Sequence, residues 1–117
     1  MKVIKGTITL KELKEMARES FGDMVKAVVD VDREIIAVDA ELHSDLEALL
    51  LERGSEQKCL WGINIYTDVQ GEGFVEFDSM INVRPSQNNR CRGVEDKKIR
   101  KKIVAIVRKK LNDGLSA

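Results

Sequence analysis

Met24-Val25-Lys26-Ala27-Val28-Val29-Asp30-Val31, followed after Asp32-Arg33 by Glu34-Ile35-Ile36-Ala37-Val38, is the stretch on which the fold class turns. Val25, Ala27, Val29 and Val31 alternate with Met24, Lys26, Val28 and Asp30, the two-residue period of a strand. Two such runs with so short a link predict a hairpin. Asp-Arg is not a favoured two-residue turn, so a longer loop is expected.

Upstream, residues 2–5 allow a short strand. Thr9 and Glu12 then form a capping box, and Leu10, Leu13, Met16, Ala17 and Phe21 recur at helical spacing before Gly22. Downstream, Ser44 and Glu47 read as a second capping box, opening a helix with Leu46, Leu49 and Leu50 on one face and Gly54 at its end. Residues 59–66 and 74–84 are strand-like and are joined by the turn sequence Thr67-Asp68-Val69-Gln70-Gly71-Glu72-Gly73. A polar loop follows Pro85. The last helix, residues 96–112, carries the stripe Ile99, Ile103, Ile106, Val107 and Leu111, with Gly114 as its stop. The order (β)αββαββα predicts a single α+β domain over residues 1–117. Its antiparallel or mixed sheet is built from two hairpins, with three helices packed on one apolar face.

Composition narrows the function classes. With 43% hydrophobic and 34% charged residues in 117, the chain is neither disordered nor membrane-like. Its longest apolar run, Ile103 to Val107, is far short of the ~20 residues that span a bilayer. No signal-peptide pattern opens the sequence, so a cytoplasmic location is expected. Cys59 and Cys91 fit no zinc or CxxC pattern and are expected to be reduced thiols without a shared role. The net charge of zero conceals a division. Residues 1–82 hold 9 Lys/Arg against 17 Asp/Glu, and residues 83–117 hold 11 against 3. Such segregation marks an anion-binding or nucleic-acid face, or a tail that lies on the acidic body or on a second copy.

Four places are candidates for a site. In Glu41-Leu42-His43-Ser44-Asp45-Leu46-Glu47 stands the single histidine. Its imidazole suits general base work, and with the neighbouring carboxylates it outlines a metal site, yet the His/Cys set of a zinc centre and the EF-hand loop are both missing. Asp45 and Glu47 are otherwise explained as acids in a first helical turn. On the second hairpin, Val75, Phe77, Ile81 and Val83 are read as core. The polar set Asn64, Glu76, Asp78, Asn82 and Arg84 shares the opposite face, where Gly62 leaves room for a ligand or a backbone. The ordinary alternative is a solvated outer face. Arg84-Pro85-Ser86-Gln87-Asn88-Asn89-Arg90-Cys91-Arg92-Gly93 offers three guanidinium forks suited to a phosphate or carboxylate, against the alternative of a polar surface loop. The basic final helix lacks aromatics after Phe77, so nucleic acid is an unfavoured partner and a solvated face the simpler explanation.

The segments Glu41-Leu42-His43-Ser44-Asp45, Leu50-Leu51-Glu52-Arg53-Gly54-Ser55, Leu60-Trp61-Gly62-Ile63-Asn64 and Phe77-Asp78-Ser79-Met80-Ile81-Asn82-Val83-Arg84-Pro85-Ser86-Gln87 carry a resemblance. Together they resemble a family of small bacterial and archaeal proteins of the domain-of-unknown-function kind, from Ile4 to the last helix. Members of that family tend to have glycine where Asn88 stands, which implies a left-handed backbone there that asparagine also tolerates. The resemblance implies no activity and assigns no catalytic residue.

The expectation is therefore a small-ligand or anion site between the hairpin's polar face and the arginine loop. Asn64, Asn82, Arg84, Arg90 and Arg92 would bind the ligand. If the site performs chemistry, His43, Glu76 and Asp78 are the acid–base candidates, because no activated nucleophile is visible. A metal- or His/carboxylate-dependent enzyme and nucleic-acid binding by the final helix are the alternatives. No cofactor, resident metal or membrane is expected, and a homodimer is a possible assembly.

Overall fold

The hairpin that decides the fold class forms as β2 (Met24–Asp30) and β3 (Ile35–Val38). Its loop is set by Asp30, whose Oδ1 accepts the main-chain N–H groups of Asp32 and Arg33 at 2.9 and 3.0 Å. The structure, a computed structural model, describes residues 1–111, so the expected stop at Gly114 lies outside the described residues. Around the hairpin stand β1 (Lys2–Ile4), α1 (Leu10–Glu19), α2 (His43–Glu52), β4 (Leu60–Tyr66), β5 (Val75–Glu76) and α3 (Lys97–Lys110). The strands form one antiparallel sheet in the order β1-β3-β2-β4-β5. The α+β class and the element order are as the sequence predicts. None of the helices is long and apolar enough to cross a membrane among the described residues.

Local chemistry starts two helices, the first of them as expected. Thr9 Oγ1 accepts the Glu12 N–H at 3.1 Å, and Asp96 Oδ1 accepts the Lys98 N–H at 2.8 Å. Gly22 takes φ 94° past the end of α1. The second helix differs. It begins at His43 with Leu42 as its N-cap and no side-chain cap bond, so Ser44 and Glu47 make no capping box.

The helices do not share one face. Leu13 and Ala17 of α1 and Ile103, Ile106 and Val107 of α3 pack on Val25, Ala27, Val29, Ile36, Val38, Ile63 and Ile65. Leu46 and Leu50 of α2 pack on the reverse side, over Val28, Ile35, Ala37 and Leu60. Each of those two leucines is fully buried and stabilises the fold by roughly 1.5–3 kcal/mol. The consecutive pairs Val28-Val29 and Ile35-Ile36 are the mark of a sheet covered on both sides, because successive side chains point to opposite faces.

A second correction concerns the later hairpin. The expected strand over 74–84 pairs with β4 only at Val75–Glu76. Beyond it the chain turns through short 3-10 segments at Met80–Asn82 and Pro85–Gln87. Phe77 joins the α1/α3 core and Ile81 joins the α2 core, so the two do not share one strand face, and Val83 is exposed. Asn82 takes over the strand's bonding. Its Oδ1 accepts the Gly62 N–H at 2.8 Å and its Nδ2 donates to the Gly62 carbonyl at 2.9 Å, closing the edge of β4 as a neighbouring strand would.

Candidate functional site

On the reverse face of the sheet, α2 covers only one end. Where the helix covers it, the face presents Val28, Ala37 and Leu60; beyond His43 it presents Met24, Lys26, Asn64, Tyr66 and Glu76. The change from apolar to polar along one sheet face coincides with the loss of cover. A cleft of about 380 Å³ lies there, closed on its other sides by Leu42, Ser44, Asp78, Ser79, Met80, Ile81 and Arg92. That volume is within the range of small-metabolite sites.

Asn64 is the centre of the floor and is only 6% exposed. Its Nδ2 donates to Glu76 Oε1 at 2.8 Å and to the Asp78 carbonyl at 3.3 Å. Both partners accept only, so the orientation of the amide is determined. Its Oδ1 is buried and receives no donor among the described residues. Tyr66 donates its hydroxyl to the same Glu76 oxygen at 3.1 Å. Burial, then the bond to Glu76, pushes the Tyr66 phenol above its ordinary value, so it stays a donor at neutral pH.

His43 is placed by the first turn of α2, and its Nε2 lies 2.8 Å from the Ile63 carbonyl. A carbonyl cannot donate, so Nε2 carries the proton and the lone pair of the neutral ring is on Nδ1. No group among the described residues bonds Nδ1. Burial pulls the His43 pKa below its ordinary 6.5, with the Ile63 bond opposing and Lys26 assisting, so the ring is neutral at pH 7. A neutral imidazole with a free lone pair is the state that accepts a proton or an N–H donor. At the rim, Arg92 Nε meets Asp78 Oδ1 at 2.7 Å; both side chains are about half exposed, so the pair contributes little to stability.

The structure thus brings together His43, Asn64, Glu76, Asp78 and Arg92. Asn82, Arg84 and Arg90 do not line this cleft. Asn82 is wholly buried against Gly62 and also donates to the Arg92 carbonyl at 2.9 Å. Arg84, 9% exposed, donates to the carbonyls of Ile81 at 2.9 Å, Gln57 at 2.7 Å and Leu60, and its guanidinium stacks 4.6 Å from the Trp61 ring centre. Its fork is committed to main-chain oxygens. Arg90 is exposed, and its N–H donates to the Glu95 carboxylate. The space beside Gly62 is taken by Ser79, because a Cβ on Gly62 would lie 2.5 Å from that of Ser79.

Lys26, Leu42 and Met80 line the cleft without having been assigned to it. The two-residue period puts Lys26 on the face of Met24 and Val28, but only the short reach of α2 leaves that position uncovered. Asn89 is a further organiser. Its Nδ2 donates to the Asn82 and Gly93 carbonyls, both at 2.8 Å, and its Oδ1 accepts the Glu95 N–H, also at 2.8 Å. These bonds shape the arginine loop from within. Asn88 beside it takes φ 61°, the left-handed backbone that glycine at this position would favour.

Among the described residues, no three His, Cys, Asp or Glu side chains are grouped to hold a metal ion. His43 therefore lacks the neighbouring ligand set that the metal reading requires. No curated protein and no solved structure gives a match to the chain. Over residues 2–110 it matches the family model described as "Protein of unknown function (DUF5674)", and the chain belongs to that family.

Proposed function

We propose that the cleft at the start of α2 binds a small ligand that presents N–H or O–H donors to its floor. The observation that carries this reading is the set of acceptors that line one cleft: the unbonded Nδ1 of His43 and the carboxylates of Glu76 and Asp78, over a floor that Asn64 holds in place through Glu76. Of the three arginines expected to hold an anion, Arg84 is occupied by carbonyls, Arg92 by Asp78, and Arg90 lies outside the cleft, while Lys26 on the floor rests over the Phe21 ring, 5.1 Å from its centre. Amines, amides and polyols of metabolite size fit this balance better than a phosphate. Leu42 and Met80, 56% and 66% exposed, flank the polar floor and give an apolar part of the ligand a surface to cover. We place the protein in the cytoplasm, where its two free thiols remain reduced.

A thermal-shift screen of amines, amides, polyols and simple anions tests the reading. Donor-bearing compounds are expected to raise the unfolding temperature of the wild type and to lose that effect in Asn64→Ala and Glu76→Gln. Stabilisation by phosphate or carboxylates alone, lost in Arg92→Gln, would replace this reading with the anion site.

A further inference from the structure

The cations of α3 border an apolar groove on the opposite side of the sheet from the cleft. A hollow of about 350 Å³ is floored by Phe74, Phe77 and Val104 and flanked by Arg100 and Arg108, with Glu72 the one acid in its lining. Past Phe77 it continues into a second hollow of about 350 Å³ beside Lys101. Through Phe74 and Arg108 it joins a third of about 560 Å³ that reaches Leu10. The two phenylalanines rest against the α1/α3 core, so the floor is anchored. Arg100, Lys101 and Arg108 pair with no carboxylate among the described residues.

We propose that this groove docks an acidic, amphipathic segment of a partner protein. The segment's apolar side chains would cover Phe74, Phe77 and Val104, and its carboxylates would meet Arg100 and Arg108. Three adjoining hollows that share lining residues give more room than one small metabolite needs, whereas a peptide segment fills them. The charge complement decides the partner's sign, because arginine forks pair with carboxylates in two-bond geometry. Nucleic acid is the weaker match. Phosphates would gain nothing from the apolar floor, and the phenylalanine rings are half-buried against the core rather than free to stack on bases.

The test is selection from a displayed library of random short peptides on the intact protein, followed by fluorescence anisotropy on the enriched sequences. Enrichment of peptides with net negative charge and at least two apolar residues is expected. Their affinity should fall about tenfold or more in Arg100→Gln/Arg108→Gln, while His43→Gln, in the cleft, leaves it unchanged. Circular dichroism of the double variant establishes that α3 is retained. Val104→Ser is the second variant, weakening the same peptides through the floor without touching charge. Failure to enrich, enrichment of neutral or basic peptides, or equal binding by the double variant would each overturn the proposal. Two further outcomes would also overturn it: tighter binding of oligothymidylate lost in the same double variant, or a concentration-dependent dimer that the double variant abolishes. They assign the groove to a single-stranded nucleic acid and to a second copy of the chain, respectively.

Discussion

Replacing Arg84 with methionine keeps the apolar stem and removes the guanidinium, which isolates what the fork contributes. Three main-chain carbonyls, those of Gln57, Leu60 and Ile81, lose a charged donor, and the stack on Trp61 is lost with them. A hydrogen bond to a charged group contributes about 1.5–3 kcal/mol. The three bonds are not additive, and water reaches part of a site at the sheet's end. Each buried carbonyl left without a donor costs about 1–3 kcal/mol, so the total, short of a full sum, is roughly 3–5 kcal/mol. Against a total stability of roughly 5–15 kcal/mol the fraction is large. For a chain of this length it corresponds to a fall in Tm of about 10–20 °C. Urea unfolding followed by the fluorescence of Trp61, the single tryptophan, reads the loss directly. Arg84→Lys is expected to recover little, because an ammonium on a flexible stem cannot serve three carbonyls in one plane. A loss below about 1 kcal/mol, or full recovery with lysine, would refute the assignment of Arg84 as a pin between the end of β4 and the turns that follow it. If Arg84 instead held a ligand, the substitution would leave stability intact and remove ligand-induced stabilisation.

Gly62→Ala sets a Cβ 2.5 Å from that of Ser79 and should destabilise by about 1–3 kcal/mol. The added change Ser79→Gly is expected to return part of this, and a neutral Gly62→Ala in urea titration would contradict the close approach. Asn88→Gly should be neutral or stabilising and Asn88→Ala destabilising by about 1 kcal/mol, because φ is 61° there; equal melting temperatures would count against that backbone. The depressed pKa of His43 makes the unfolded chain bind more protons than the folded one below pH 6.5, so stability falls as pH falls from 6.5 to the folded-state pKa. His43→Gln should flatten this part of the Tm–pH curve, and identical curves for the two proteins would show that the ring's neutrality is not linked to folding. Asp78→Asn, which breaks a half-exposed pair with Arg92, should change stability by less than about 1 kcal/mol in the same assay.

Much of the fold was legible because it is written in local patterns. The two-residue period of residues 24–31, Thr9 as a cap and the apolar stripe of α3 depend on residues a few positions apart, and each forms as its pattern requires. Even the cover on both sheet faces is present in Val28-Val29 and Ile35-Ile36, although the economical reading placed all helices on one side. The candidate site was legible in its polar members on the β4–β5 hairpin and in the lone histidine. Their convergence was not, because it depends on where α2 begins along a sheet face, and that is set by packing over Val28 and Leu60. Residues 77–84 misled for a related reason. Alternation of polar and apolar side chains predicts a strand, but Asn82 supplies with its amide the bonds a strand would have made, freeing the chain to turn. An arginine's donors are the same in any sequence, whether they await an anion or already hold three carbonyls. Only the tertiary structure decides between the two, because those carbonyls belong to residues up to 27 positions away.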